Sequence, residues 1–128
     1  MATTPNIFRS DAGHFYGGKA AGALLPGYAL TRDSAGKLTT ADSTTLRGVG
    51  ICANDVTAAG DTVRYHKGGR STVKVSPATS IVPGVYLKIG AVAGTFVAEG
   101  TPTVATIASW GIALETPDAD GYTLMEWL

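Results

Sequence analysis

The chain has 128 residues, with 10 Lys plus Arg balanced by 10 Asp plus Glu and only 16% charged residues, well below the ~25% of an average soluble domain. Net neutrality without a basic stripe argues against binding duplex DNA, and 8% aromatics not interleaved with basic residues argue against a single-strand binder. One cysteine, Cys52, excludes an internal disulfide, and no apolar run approaches the ~20 residues of a membrane helix.

Residues 1–19 differ from the rest. They lack strand alternation and scatter Ile7, Phe8, Arg9, His14, Phe15 and Tyr16 among Gly13, Gly17 and Gly18. The glycines keep the segment flexible, and a polar tail with isolated aromatics suits an arm that orders on a partner, so 1–19 is read as an N-terminal arm and 20–128 as a single β domain, the alternative being a frayed terminus or a first edge strand.

From Ala20 onward the segments are short and bounded by turns. Pro26-Gly27 turns into a strand over Tyr28–Arg32, and Asp33-Ser34-Ala35-Gly36 reads as a hairpin turn returning through Lys37–Thr40. Arg47–Ala53 reads as a central strand. Gly48, Gly50 and Cys52 line one of its faces, where small side chains admit close approach of a neighbour. Thr62–Lys67 and Ser71–Ser76 read as a hairpin across Gly68-Gly69. Strands follow over Val85–Ile89, Thr95–Glu99, Ile107–Leu114 and Tyr122–Trp127. No window of a dozen residues has a 3.6 period. The fold class is therefore all-β, with at most one or two helical turns.

The second set of strands repeats the first. Leu25-Pro26-Gly27-Tyr28-Ala29-Leu30 is echoed by Val82-Pro83-Gly84-Val85-Tyr86-Leu87 at an offset of 57. Val49-Gly50-Ile51 is echoed by Trp110-Gly111-Ile112, and Gly60-Asp61-Thr62-Val63 by Gly121-Tyr122-Thr123-Leu124, both at an offset of 61. Two copies are too few for a solenoid, so two similar halves packing into one small barrel or sandwich are expected.

No constellation for catalysis or metal binding is visible. His14 and His66 have no metal-ligand spacing, and His66 beside Lys67 reads as a solvated strand face. Cys52 sits in an apolar run and reads as a structural thiol. Asp118-Ala119-Asp120-Gly121 lacks the distal Glu of a calcium loop and reads as a turn. Neither an enzyme nor a cofactor is expected.

The last strand carries the sharpest asymmetry. At an offset of 61, Arg64 and His66 of the first half align with Met125 and Trp127 of the second. A strand that is apolar on both faces is covered on both, by the arm, a loop or another subunit; Met125 and Trp127 are expected at a subunit interface, the alternative being an aromatic lid over the end of the barrel.

The ordered set Pro26-Gly27-x-x-Leu30, Gly36-Lys37-Leu38, Gly48-Val49-Gly50-Ile51 with Asp55, Ala59-Gly60-Asp61-Thr62-Val63, Gly84-x-x-Leu87 and Trp110-Gly111-Ile112-Ala113-Leu114-Glu115 resembles the capsid cement (head decoration) proteins of tailed double-stranded DNA phages. The stretch 27–69 is also similar to the lambda-type head decoration proteins. The resemblance implies a small β-barrel or β-tulip domain and a homotrimer on the outer surface of the expanded head. It also implies an N-terminal arm on the major capsid protein, for which Ile7, Phe8, Arg9, His14, Phe15 and Tyr16 are the candidates. Synthesis in the host cytoplasm, without a signal peptide and without a nucleic-acid or membrane partner, goes with it. The competing reading is a small-ligand or carbohydrate-binding β-barrel, which would need a pocket lined by aromatics and convergent polar groups.

Overall fold

Pro-Gly turns open the equivalent strands of the two halves. Pro26 and Pro83 supply a fixed φ, and Gly27 and Gly84 follow at φ of 83° and 88°, a region open to glycine without steric cost. Around such turns the computed structural model builds ten short strands from residues 14–45, 48–68 and 71–128, which are the residues it describes. They are β1 (His14–Lys19), β2 (Ala29–Arg32), β3 (Leu38–Thr40), β4 (Gly50–Cys52), β5 (Thr62–Lys67), β6 (Thr72–Val75), β7 (Tyr86–Ile89), β8 (Phe96–Ala98), β9 (Gly111–Ala113) and β10 (Thr123–Trp127). No helix occurs among the described residues, in keeping with the all-β expectation.

The strands form two five-stranded antiparallel sheets ordered β1-β5-β4-β2-β3 and β6-β10-β9-β7-β8. Replacing each first-half strand by its counterpart five places later converts one order into the other. The register agrees: Leu30 lies opposite Gly50 and Leu87 opposite Gly111. Likewise Arg32 lies opposite Leu38, and Ile89 opposite Phe96. The duplication read from the sequence is therefore a duplication of topology.

Two expectations are corrected. β5 and β6 do not form the expected hairpin, because β5 pairs with β1 and β4 whereas β6 pairs with β10. Each half completes its own sheet. Nor does either sheet close into a barrel. Between the two ends of each sheet the described residues form one isolated parallel bridge, from Ala20 just after β1 to Leu38 and from Pro77 just after β6 to Phe96.

The structural equivalence also shifts the last strand by one residue. Ile51 pairs with His66, and its counterpart Ile112 pairs with Glu126. His66 is thus equivalent to Glu126 and Tyr65 to Met125, an offset of 60 rather than the 61 given by the Gly60 and Gly121 turns. Because side chains alternate along a strand, a one-residue slip moves every one of them to the other face. The close approaches confirm the pairing. A methyl on Gly50 would lie 2.6 Å from Tyr65 Cδ2 and 2.7 Å from the His66 carbonyl oxygen. A methyl on Gly111 would lie 2.6 Å from Met125 Cγ and 2.3 Å from the Glu126 carbonyl oxygen. Both glycines are needed for one reason: the neighbouring strand passes too close for a Cβ.

The sheet of the first half is covered on both faces. Ala29 and Ile51 point into a core shared with Val73, Val75, Leu87, Phe96, Trp110 and Met125 of the second half. Leu30, Cys52, Val63 and Tyr65 point the other way, into a smaller cluster with Ala20, Leu24, Leu38 and Val56. Main-chain bonds also join the halves: Ser76 N to Gly27 O at 2.9 Å, Ala29 N to Gly94 O at 2.9 Å, and Gly94 N to Ala41 O at 2.7 Å.

Candidate functional site

The residues read as an arm divide at the start of β1. Ile7, Phe8 and Arg9 lie outside the described residues. His14, Phe15 and Tyr16 do not belong to a separate arm: they open β1, an edge strand in register with β5, His14 to Lys67, Phe15 to His66 and Tyr16 to Tyr65. The flexibility inferred from Gly17 and Gly18 is overridden by this pairing, in which Gly18 leaves room for Leu38, whose Cδ1 would lie 2.8 Å from an added methyl. The two aromatics take opposite faces. Phe15 is half-buried against the shared core, edge-on to His66 at 5.2 Å, with the Arg64 guanidinium 5.2 Å from its ring centre. Tyr16 remains 47% exposed and stacks on Tyr65 at 5.6 Å, whose hydroxyl accepts from Arg32 Nη2 at 3.2 Å.

The seam between the halves is built from aromatic rings. Phe15, His66, Trp127, Trp110 and Phe96 follow one another with centroid separations of 5.2, 6.2, 6.0 and 5.6 Å. The chain of rings runs from the edge strand of one half to β8 of the other. Inside it, Trp127 Nε1 donates to His66 Nδ1 at 3.0 Å. His66 is fully buried, which corrects its reading as a solvated position. Tyr65 and His66 are both buried although adjacent, because both faces of this sheet are covered.

Met125 and Trp127, expected at a subunit interface, both pack within their own chain. Met125 is fully buried in the core shared by the two halves of its own chain, at the strand position equivalent to Tyr65. Trp127 is half-buried, with its indole N–H committed to His66. The contrast with Arg64 and His66 that motivated the expectation came from the one-residue slip. The seam role of His66 was missed; its only sequence signal is its place in a strand of a chain whose halves must meet.

The charged groups serve the loops. Asp118 Oδ1 accepts from the amides of Asp120 and Tyr122, both at 3.0 Å, and Oδ2 accepts from Lys74 Nζ at 2.8 Å, so Asp118–Gly121 is a turn, as the sequence suggested. Burial opposes ionisation of Asp118, but the Lys74 ammonium and the two amides outweigh it and hold the carboxyl below its usual range. Lys74 also donates to Glu115 Oε1 at 2.7 Å. The buried Glu99 carboxylate accepts from the Thr106 hydroxyl at 2.7 Å and from the Ser109 hydroxyl, pinning the loop between β8 and β9. Cys52 is fully buried, and desolvation pushes its thiol up to about 11, the setting of a structural cysteine. Among the described residues no group of three or more His, Cys, Asp or Glu side chains is arranged to hold a metal ion.

The outer surface differs between the halves. Of the eight large apolar side chains exposed among the described residues, Tyr16 and Leu25 belong to the first half. Val82, Val92, Val104, Ile107, Leu114 and Leu128 belong to the second.

No protein-family model matches the chain, and no curated protein matches it either. Among solved structures it is similar to the crystal structure of the N base of the head fibre gp8.5 of bacteriophage phi29. The TM-score is 0.68 at 17% identity, over 91% of this chain and 94% of that one. The chain therefore has the fold of that head-fibre base along nearly its whole length.

Proposed function

We propose that this protein is a structural component of a phage head, displayed on the outer capsid surface. The observation that carries the reading is the whole-length fold likeness to a head-fibre base, reached independently of the ordered turn motifs that resemble head decoration proteins. A cement role is the finer form of the reading. The protein, made in the host cytoplasm, binds the major capsid protein of the expanded shell as a homotrimer and stabilises the assembled state by binding it in preference to free subunits. Three linked copies gain avidity from repeated footholds. Such a role asks for a rigid fold and contact surfaces, and for no catalysis, cofactor or nucleic-acid contact. Residues 1–13, with Ile7, Phe8 and Arg9, supply the capsid-binding segment, and exposed Tyr16 on edge strand β1 continues it.

The fold neighbour favours a second reading, in which the chain is the base of a head fibre. Sedimentation separates both from a soluble binding module. Purified chain mixed with expanded heads that lack it should pellet with them and saturate, and should remain in the supernatant with unexpanded proheads. Saturation at the number of local three-fold positions identifies a cement, and saturation at a small number of fibre positions identifies a base. A chain that never pellets with heads contradicts both.

A further inference from the structure

The two halves share a strand order but not the fate of one sheet face. We propose that the outward face of the second sheet, centred on Tyr86, Ile112, Leu114 and Leu124, seats a second copy of this chain, an assignment that rests on the head-component reading above and deepens it by giving its self-association a surface.

Side chains alternate along each strand of the second sheet. One set points into the shared core, where Val73, Val75, Leu87, Phe96, Ala113 and Met125 are buried. The alternate set forms the other face. There Tyr86, Ile112, Leu124 and Glu126 are only half-buried, and Leu114 is 41% exposed. The register makes the apolar members neighbours. Tyr86 lies opposite Ile112 on the adjoining strand. Leu114 follows Ile112 by two residues, and its amide donates to the Leu124 carbonyl at 2.8 Å. The open face of an antiparallel sheet is ordinarily polar. This one carries four neighbouring apolar side chains, one of them aromatic, which is the composition of an interface centre.

The first half shows what covers such a face. By register, Ala29 and Ile51 are the counterparts of Tyr86 and Ile112. Ala53 is the counterpart of Leu114, since its amide donates to Arg64 as that of Leu114 donates to Leu124. Ala29, Ile51 and Ala53 are all buried, in a core that they share with the second half. The occupant of this face in the first half is thus a unit of the same fold, and a second copy of the chain supplies another such unit. Charge points the same way. Lys74, at the rim, is paired with Glu115 and Asp118 at 2.7 and 2.8 Å, and Lys88 lies 3.9 Å from Glu99. With its lysines matched inside the chain, the face offers little net charge to a polyanion such as nucleic acid. It suits a partner that is itself neutral and sparsely charged, as this chain is.

Sedimentation velocity of the purified chain, without heads, reads the association. The unaltered chain should self-associate as its concentration rises. Leu114→Lys and Leu124→Lys should each weaken that association by about tenfold or more while keeping the β-sheet circular dichroism. Val92→Lys places the same charge at a 58% exposed site in the turn between β7 and β8, and should associate as the unaltered chain does. Hydroxyl-radical footprinting of the unaltered chain needs no variant. Labelling of Tyr86, Ile112, Leu114 and Leu124 should fall as concentration passes the association midpoint, and labelling of Val92 should not. The proposal is overturned by a chain that stays monomeric up to about 1 mM, or by folded Leu114→Lys and Leu124→Lys variants that associate normally. It is also overturned if Val92→Lys dissociates as far as they do, or if labelling of the face is independent of concentration. These outcomes are read apart from head binding. A monomeric chain that pellets with heads keeps the head-component reading and loses this one, and a self-associating chain that never pellets does the reverse.

Discussion

Trp127, near the end of the chain, hydrogen-bonds through its indole N–H to Nδ1 of His66, 61 residues earlier, across the seam between the halves. The bond joins the last strand of one sheet to the corresponding strand of the other. Trp127→Phe keeps a ring in the seam but leaves a buried acceptor unsatisfied, which costs about 1–3 kcal/mol. The midpoint of urea unfolding should fall accordingly with the denaturant slope unchanged. An unchanged midpoint would mean that the bond contributes nothing to the native state.

The two close-approach glycines should behave alike. Gly50→Ala and Gly111→Ala each push a methyl into a neighbouring strand's carbonyl oxygen, at 2.7 and 2.3 Å. Overpacking of this kind typically costs about 1–3 kcal/mol, occasionally more. Gly84→Ala meets nothing within 4 Å and bears only the strain of its φ of 88°, about 1 kcal/mol. Thermal unfolding should rank Gly84→Ala as the mildest of the three. The reverse order would refute the packing described for β4 and β9.

How far the sequence could be read is clearest at these positions. The Pro26-Gly27 and Pro83-Gly84 turns and the Gly50 and Gly111 strands were legible because turn chemistry and close approach leave their mark on residue type. The strand limits around Leu30, Leu38, Leu87 and Phe96 followed from them. The pairing of β5 and β6 was not legible, since Gly68-Gly69 suits a hairpin or a crossover equally well and only long-range pairing decides. The place of Met125 was misread because the turns at Gly60 and Gly121 differ by one residue relative to the strands that follow them. His66 looked solvent-facing because nothing local reports that a sheet is covered on both sides. The edge-strand role of Phe15 and Tyr16 was obscured by Gly17 and Gly18, whose small size serves packing against Leu38.

Cys52 should be inert while the chain is folded. Its thiol is fully buried and pushed up to about 11, and the thiolate is the reactive form. At pH 8 a thiol reagent should label the native chain far more slowly than the urea-unfolded chain. Equal rates would contradict the burial of the face that Cys52 shares with Leu30 and Tyr65.

The Asp118 turn predicts an acid limb in the stability of the chain. Its carboxyl is held below the usual range against the opposing effect of burial, by Lys74 and two amides. A group with a lowered folded-state pKa contributes stability above its unfolded value and loses it as pH falls through the folded one. That loss should therefore occur below about pH 4. Asp118→Asn should be less stable than the unaltered chain at pH 6, and the difference should shrink toward pH 2. A difference that stays constant over that interval would show that the carboxylate charge is irrelevant to the turn.

Electron cryomicroscopy of expanded phage heads incubated with the purified chain tests the central claim most directly. The account predicts added density on the outer surface, at local three-fold positions for a cement or at a few fibre positions for a base. The paired five-stranded sheets should fit into that density, with the start of β1 directed toward the shell. Heads whose outer surface is unchanged at saturating protein, in a preparation where the chain is folded, would contradict it.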